Sequence, residues 1–443
     1  MILSENYARL GGAPVKQALK LRLAAAAALI LAILAAVLIL RNRPEPDAPV
    51  ETDITLSLVY AFQNSQWSAC VEEVVRRFEE AHPGVHVAYE IQYEDEVYED
   101  TLTKLIARDE LGDIVQLKEP VRFAESGLLS PLPEELCAKV DSVCRVDGRP
   151  YAAAALGVTT GVVYNKALFA GLGLELPASY QEFLTLCAAL RRQGIAPLGV
   201  GGGDLWHMEY WMNHFLRSDV LSREPDFLAL CAAGERDWTD PLVTEMLEHM
   251  AQLFRRGYVN ESWTSTPDAA LAYHLAEGDA AMVFSGPWLI RDALALDPSL
   301  ELGWFYVPNE AGQVVAGESV DVFWAVTEGC ARDRSRYEAA CAFLEFFYSE
   351  GVYEQTCAAM AGFSTLADES RGQYAASGAV GEMRRAHDGA DLRFTAYVGD
   401  ENTPPGFEKR LLELLVRLCR GELSVPEAQA LCAEYWEEEA AYE

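Results

Sequence analysis

Basic residues are scarce in this chain, whose 443 residues hold 35 Lys and Arg against 68 Asp and Glu, for a formal net charge of −33. A surface of that sign repels phosphate backbones, which argues against nucleic-acid binding. Metal-binding and catalytic signatures are also missing, since the sequence has no CxxC, no HExxH, no phosphate loop and no nucleophile elbow. We therefore expect no metal site, no cofactor and no enzymatic activity, and we attribute the acidity to solubility.

The ten cysteines lack the spacing of a disulfide framework. Most of them lie among apolar residues at helical spacing, where a reduced cysteine packs as a small hydrophobic side chain. Cys137 and Cys144 flank a short polar stretch, and they are the one pair that we consider for a disulfide. A lipid-anchor cysteine is not expected, because the first cysteine is Cys70.

The N-terminal segment predicts a membrane anchor. The chain from Leu23 to Leu40 is free of charge over about 18 residues, which is enough to cross a hydrocarbon core. More basic residues precede this run than follow it, so residues 1–22 are predicted to be a cytoplasmic tail and residues 23–40 a single-pass helix. The proline-rich residues 41–52 then form a linker, and the body lies outside the cell. A cleaved signal peptide stays an alternative.

Apolar periodicity in the body predicts an α/β fold. Strand-like runs at Ile54–Ala61, Val85–Ile91 and Ile114–Leu117 are separated by helical patterns, which indicates a mainly parallel, doubly wound sheet. A second alternating region begins near Thr160. Because the chain is too long for one ordinary domain, we expect two lobes.

Four stretches carry a resemblance to a known family, in the expected order. They are VVRRFEEAHPGVHV (Val74–Val87), GDIVQLKEPVRFAESGLLSPL (Gly112–Leu132), DGRPYAAAALGVTTGVVYNKALF (Asp147–Phe169) and EGDAAMVFSGPW (Glu277–Trp288). Together they resemble the extracellular solute-binding proteins of ABC transporters, in the branch that includes maltose-binding protein. The strand end after Gln116 lacks the aromatic residue that maltose-binding relatives often place there, which argues against a maltose-like ligand.

The resemblance implies a two-lobed, periplasmic-binding-protein-like fold of type II. Its N-terminal lobe would comprise residues 53–158 and 320–352, and its C-terminal lobe residues 159–319 and 353–443. We expect the lobes to close about crossings near Val158–Thr160, Glu318–Val322 and Ser349–Val352, and to trap one solute between them.

Ligands of open α/β sheets bind beyond the carboxyl ends of the strands, and this rule selects the candidate contacts. They are Gln63, Asn64, Trp67, Lys118, Glu119, Trp206, Trp288, Glu318, Ser319 and Asp321, with Tyr164 added on the hinge side from the family motif. Amides and carboxylates suit sugar hydroxyls, and aromatic rings suit the apolar faces of sugars. Packing stays an alternative for Trp67 and Trp206, and turn formation or helix capping for Asn64, Glu119 and Asp321.

We therefore expect a monomeric receptor, tethered to the cell membrane with its body outside. It would bind a sugar or oligosaccharide and deliver it to the permease subunits of an ABC importer. Two alternatives stay open: an anchored sensor that presents its ligand to a signalling partner, and a secreted glycoside hydrolase that uses paired carboxylates.

Overall fold

The computed structural model describes residues 53–60, 65–91, 98–367, 376–400 and 402–441. The predicted cytoplasmic tail, anchor and linker lie outside these residues. Within the part of the chain that is described, no helix is both long and apolar enough to cross a membrane.

The strands are β1 (Ile54–Tyr60), β2 (Val85–Ile91), β3 (Ile114–Leu117), β4 (Leu129–Ser130), β5 (Val143–Val146), β6 (Arg149–Val158), β7 (Gly161–Asn165), β8 (Ala196–Gly199), β9 (Ala280–Ser285), β10 (Leu302–Phe305), β11 (Val315–Gly317), β12 (Ser319–Thr327) and β13 (Leu392–Phe394).

The helices are α1 (Ser65–Ala81), α2 (Tyr98–Arg108), α3 (Pro120–Glu125), α4 (Glu134–Cys137), α5 (Lys166–Leu172), α6 (Tyr180–Arg192), α7 (His207–Phe215), α8 (Phe227–Ala232), α9 (Pro241–Arg255), α10 (Leu271–Glu277), α11 (Trp288–Leu296), α12 (Glu328–Ala331), α13 (Arg334–Phe347), α14 (Tyr353–Met360), α15 (Gly378–Asp388), α16 (Phe407–Cys419) and α17 (Val425–Ala440). A π-helix at Leu216–Leu221 continues α7, and a 3₁₀ turn at Asp268–Ala270 precedes α10.

The first sheet has the strand order β2-β1-β3-β12-β6-β5, and β4 also pairs with β12. Strand β1 is parallel to β2 and β3, but β12 runs antiparallel to both β3 and β6. The prediction of a mainly parallel sheet was therefore wrong for this half of the sheet. One cause is local: Asp147 and Gly148 both have positive φ, which joins β5 and β6 as an antiparallel hairpin.

Alternation along β1 separates two cores. Leu56 and Leu58 face one side of the sheet, where α1 and α13 pack, whereas Val59 faces the other side. The same division explains why Cys137 and Cys144 form no disulfide. Cys137 is buried in the first of these cores and Cys144 in the second, so the sheet lies between them.

The second sheet has the strand order β10-β7-β9-β8, and only β8 and β9 are parallel in it. Here too the expectation of a mainly parallel sheet was wrong. Its two faces are covered by separate cores, since Val162 belongs to one and its neighbour Val163 to the other.

The chain passes between the two sheets at short connections. Strand β6 ends at Val158 and β7 begins at Gly161. Strand β11, which pairs with β13 in a separate two-stranded sheet and packs in a core of the second sheet, ends at Gly317, and β12 of the first sheet begins at Ser319. The third passage differs from the expectation of Ser349–Val352. Helix α14 packs on α1, and strand-like pairs join Phe363 to Gly157 and Leu366 to Val140, so the chain stays with the first sheet beyond residue 352.

Candidate functional site

Charged side chains from both sheets lie close together where β3 ends. Lys118 and Glu119 follow β3 of the first sheet, and they influence the ionisation of Glu209 on α7, which packs on the second sheet. Burial raises the pKa of Glu209, the positive charges of Arg217 and Lys118 oppose the rise, and Glu119 adds to it. The side chain of Glu209 therefore faces a polar group contributed by both sheets.

Glu408, at the start of α16, belongs to the same group. Burial, together with the neighbouring carboxylates Glu209 and Glu119, raises the pKa of Glu408 from 4.5 to about 8. The carboxyl lies against Gly399, where an added Cβ would stand 2.8 Å from Oε2. Since Gly399 also has a φ of 108°, only glycine fits there without strain. The absence of a side chain at position 399 therefore leaves room for the Glu408 carboxyl to lie against the backbone.

Arg217 is the most buried cation of the group, with 6% of its surface exposed. Its Nε donates a hydrogen bond to the carbonyl oxygen of Ala396 at 3.1 Å, and its guanidinium lies so close to Gly317 that an added Cβ there would stand 2.1 Å from Nη1. Burial lowers the pKa of Arg217 to about 10, a shift that the charge of Glu209 opposes. Within the described residues neither terminal amino group has a hydrogen-bond partner, so both can serve a bound solute.

We call Lys118, Glu119, Glu209, Arg217 and Glu408 the polar cluster. It joins two cations to three carboxyl groups, of which Glu209 and Glu408 have raised pKa values. Because the pKa of Glu408 is about 8, protonation of this carboxyl at neutral pH reduces the negative charge of the cluster. A site of this kind offers many hydrogen-bond donors and acceptors with little net charge.

Three half-buried aromatic side chains lie close to one another at or near the starts of α7 and α11. Tyr210 follows Glu209 on α7, and its ring centroid lies 5.7 Å from that of Trp206 and 6.0 Å from that of Trp288. Trp288 touches the cores of both sheets. Its ring lies over Gly286, where an added Cβ would be 2.1 Å from the indole. We call Trp206, Tyr210 and Trp288 the aromatic group.

A hydrogen-bonded chain connects the two short passages between the sheets. The hydroxyl of Thr159 donates to the carbonyl oxygen of Gly317 at 2.7 Å and lies 2.9 Å from the hydroxyl of Tyr306. That hydroxyl is 3.2 Å from His387 Nδ1, and His387 Nε2 is 3.0 Å from Glu318 Oε1. Residues next to both passages are therefore fixed to one another.

Residues 64–354 match the protein family described as bacterial extracellular solute-binding protein. The chain belongs to this family. Among curated proteins it is similar to a multiple sugar-binding protein of Streptococcus mutans, with 21% identity over 285 residues that cover 61% of this chain and 66% of the relative. The match thus spans slightly less than two thirds of that relative.

Solved structures show the fold of this family member. A chitin oligosaccharide binding protein has a TM-score of 0.76 at 22% identity, over 88% of this chain and 99% of that one. RafE in complex with raffinose has a TM-score of 0.67 at 19% identity, over 86% of this chain and 99% of that one. The expectation of a mixed α/β, two-domain solute-binding fold is confirmed.

The structure of this solute-binding protein places several predicted contacts around the two groups. Lys118 and Glu119 belong to the polar cluster, and Trp206 and Trp288 to the aromatic group. Glu318 takes part in the chain of hydrogen bonds between the passages.

Other predicted contacts lie elsewhere. Trp67 is 1% exposed, stacks on Trp324 at 6.2 Å and donates to Gln116 Oε1 at 3.0 Å, so its ring is part of the first core. Tyr164 is 8% exposed and packs on Phe169 in the second sheet.

For two of the remaining predicted contacts the structure gives the place in a strand but no side-chain contact, and the other two lie outside the described residues. Ser319 is half-buried at the start of β12, opposite Val158. Asp321 lies in β12, but its side chain is outside the described part, and Gln63 and Asn64 lie outside the described residues altogether.

Sequence reasoning missed Glu209, Arg217 and Glu408. Arg217 did leave a signal, because it is the one Lys or Arg in a helical run rich in large apolar residues, and such a cation, once buried, needs a partner or a ligand. Glu408 left none, since an acidic residue in the first turn of an amphipathic helix is common at helix N-termini.

Proposed function

We propose that this protein captures a neutral sugar or oligosaccharide between its two lobes and delivers it to an ABC importer at the outer face of the cell membrane. The observation that carries the proposal is the polar cluster, in which residues that follow a strand of the first sheet meet residues on helices of the other lobe. Tyr210 of the aromatic group directly follows Glu209 in the chain. A solute held there would contact both lobes at once.

The chemistry of the polar cluster suits a neutral, polyhydroxylated molecule. Each sugar hydroxyl both donates and accepts, and the cluster supplies guanidinium and ammonium donors together with carboxyl groups that accept or, when protonated, donate. A strongly charged solute would instead meet like charge from one part of the cluster. The two amino groups of Arg217 are spaced to bond two neighbouring hydroxyls.

The aromatic group supplies the second half of sugar recognition. Sugar rings have apolar C–H faces, and such faces pack on indole and phenol rings. The names of similar proteins support this choice, since they refer to multiple sugars, chitin oligosaccharide and raffinose. They are also names of binding proteins rather than enzymes, which favours capture over hydrolysis.

The lobes would close by rotating about the passages between the sheets. We propose lobes of residues 53–158 with 320–352, extended here to about residue 367, and of residues 159–319 with the remaining C-terminal part. Contacts to both lobes form only in the closed arrangement, so a bound sugar shifts the population towards it. The hydrogen bonds of Thr159 would hold two of the passages together while the lobes turn.

Isothermal titration of the full-length chain in detergent, against a panel of neutral oligosaccharides, amino acids and polyamines, tests the proposal. We expect at least one oligosaccharide to bind saturably and to be recovered unchanged. Arg217→Met should weaken that binding about tenfold or more, because hydrogen bonds to a charged group contribute about 1.5–3 kcal/mol. The exposed Arg420→Met is the matched control and should leave the affinity unaltered.

Two results would contradict this proposal. Binding of polyamines or amino acids with no response to any oligosaccharide would overturn the ligand class. Cleavage of the oligosaccharide would favour the hydrolase alternative, since Glu209 and Glu408 would then be candidate acid and base. The tether and the importer are tested separately, by membrane fractionation of cells and by sugar-dependent cross-linking to a permease.

A further inference from the structure

A second group of ionisable side chains lies outside the polar cluster. Asp219 on the π-helix and Glu245 and His249 on α9 have carboxylate and imidazole atoms that all lie within 4.8 Å of one another. Glu245 and His249 are four residues apart, so they share one face of the helix. Imidazole nitrogen and carboxylate oxygen are the atoms that bind Zn²⁺ in proteins.

His249 is held between carboxylates on both of its ring nitrogens. Its Nδ1 lies 3.0 Å from Asp219 Oδ2, and its Nε2 lies 3.4 Å from Glu310 Oε1. The side-chain amide of Gln181 donates to that same Glu310 oxygen at 2.7 Å and fixes it. A neutral imidazole has one N–H, so one of the two nitrogens needs either a second proton or a metal ion. A carboxylate on the outer nitrogen is how metal-bound histidines are commonly oriented.

Burial makes the negative charge at this place costly. Asp219 is 3% exposed, and its carboxylate lies within 4.8 Å of the ligand atoms of Glu245 and His249. Arg223 lies 2.9 Å from Glu245 and is the only other cation paired with these carboxylates among the described residues. Three carboxylates therefore surround one imidazole and one guanidinium.

We propose that Asp219, Glu245 and His249 bind a divalent transition metal ion of the Zn²⁺ type, with Glu310 orienting the imidazole. The ion would bind His249 at Nδ1 while the Nε2–H donates to Glu310, and Glu245 would exchange Arg223 for the metal. Water completes the coordination. One imidazole with two carboxylates suits Zn²⁺ better than Ca²⁺ or Mg²⁺, which prefer all-oxygen sites.

This site does not depend on the sugar proposal, because none of its ligands belongs to the polar cluster. It was invisible to the motif search, since Asp219 is far in sequence from the pair on α9 and the two acids and the histidine match no spacing rule. The π-helix supplies both Asp219 here and Arg217 in the polar cluster.

Calorimetric titration of the untagged full-length chain with ZnCl₂ tests the site. We expect one ion to bind per chain. His249→Gln should weaken binding at least tenfold. His274→Gln is the matched control, because among the described residues the ion pair of His274 is with one carboxylate, Asp279 at 3.5 Å, rather than with two, and this change should leave the affinity unchanged.

The proposal is overturned if the wild-type chain binds no Zn²⁺, if His249→Gln binds as tightly as the wild type, or if Ca²⁺ and Mg²⁺ bind equally well. Circular dichroism checks that the variant is folded. Should His249→Gln fail to fold, Glu245→Gln takes its place, since Glu245 is 35% exposed and its loss removes one ligand from the rim. An affinity for Zn²⁺ unchanged in that variant would count equally against the site.

Discussion

The carboxyl of Glu408 offers a sharp test of the polar cluster through the pH dependence of stability. Its pKa is raised from 4.5 to about 8 because the group is buried beside Glu209 and Glu119. A folded-state pKa above that of the unfolded chain means that the folded protein holds the proton more tightly. The resulting stability is fully present below pH 4.5 and is lost as the pH rises through about 8. Glu408→Gln removes this dependence, because glutamine does not ionise.

The size of the effect follows from the two pKa values. Between 4.5 and about 8, each pH unit lowers the free energy of unfolding by about 1.4 kcal/mol relative to a group that does not ionise. At neutral pH the full difference is about 3 kcal/mol. Water reaches part of the side chain and screens it, so we expect Glu408→Gln to be more stable than the wild type by about 1–2 kcal/mol.

Urea unfolding followed by circular dichroism, from about pH 4.5 to about pH 9, measures this difference. The wild type and Glu408→Gln should agree at the acidic end and diverge steadily towards pH 8. Glu413→Gln is the matched control, since Glu413 is exposed on the same helix. Parallel curves for the wild type and Glu408→Gln, or an equal gain from Glu413→Gln, would refute the burial of this carboxyl.

Three further predictions concern single contacts. Trp67→Phe loses the hydrogen bond to Gln116 and should lower the free energy of unfolding by about 1–3 kcal/mol in urea titrations, with the sugar affinity unchanged because the ring is 1% exposed. Gly286→Ala places a Cβ at 2.1 Å from the ring of Trp288, so we expect weaker sugar binding in calorimetry and altered tryptophan fluorescence. Thr159→Val removes the hydrogen bonds to the carbonyl oxygen of Gly317 and to the hydroxyl of Tyr306 and should cost about 1–3 kcal/mol of unfolding free energy; an unchanged urea midpoint would contradict that network.

Local pattern predicted the secondary structure closely. The strands at Val85–Ile91 and Ile114–Leu117 have the predicted bounds, because alternating or continuous β-branched residues are flanked by a proline, a glycine or charges. The direction of the strands was not predictable in the same way. Strand β12 joins the first sheet from far along the chain. Its own residues do not indicate which strands it pairs with, or whether the pairing is parallel or antiparallel.

Residues of the candidate site were predictable from the sequence only where a general rule relates a place in the chain to a place in the fold. Strand β3 ends at Leu117, so the strand-end rule selected Lys118 and Glu119, which lie in the polar cluster; their contact with a sugar stays a prediction. The same rule selected Trp67, but a tryptophan in the first turn of α1 also fits the sheet below it, and packing on Trp324 prevails. The position of the Arg217 side chain depends on a π-helix, and the local sequence pattern does not predict where a π-helix occurs.

The ten cysteines form no disulfide, and nine of them are buried. Burial raises the pKa of eight of the buried thiols, for example that of Cys137 to about 11, so the reactive thiolate is rare among them at neutral pH. We therefore expect purified protein to keep its fold in air without added reductant. The sulfur atoms pack as part of the hydrocarbon interior, so the stability of the fold should be equal in aerated and oxygen-poor surroundings.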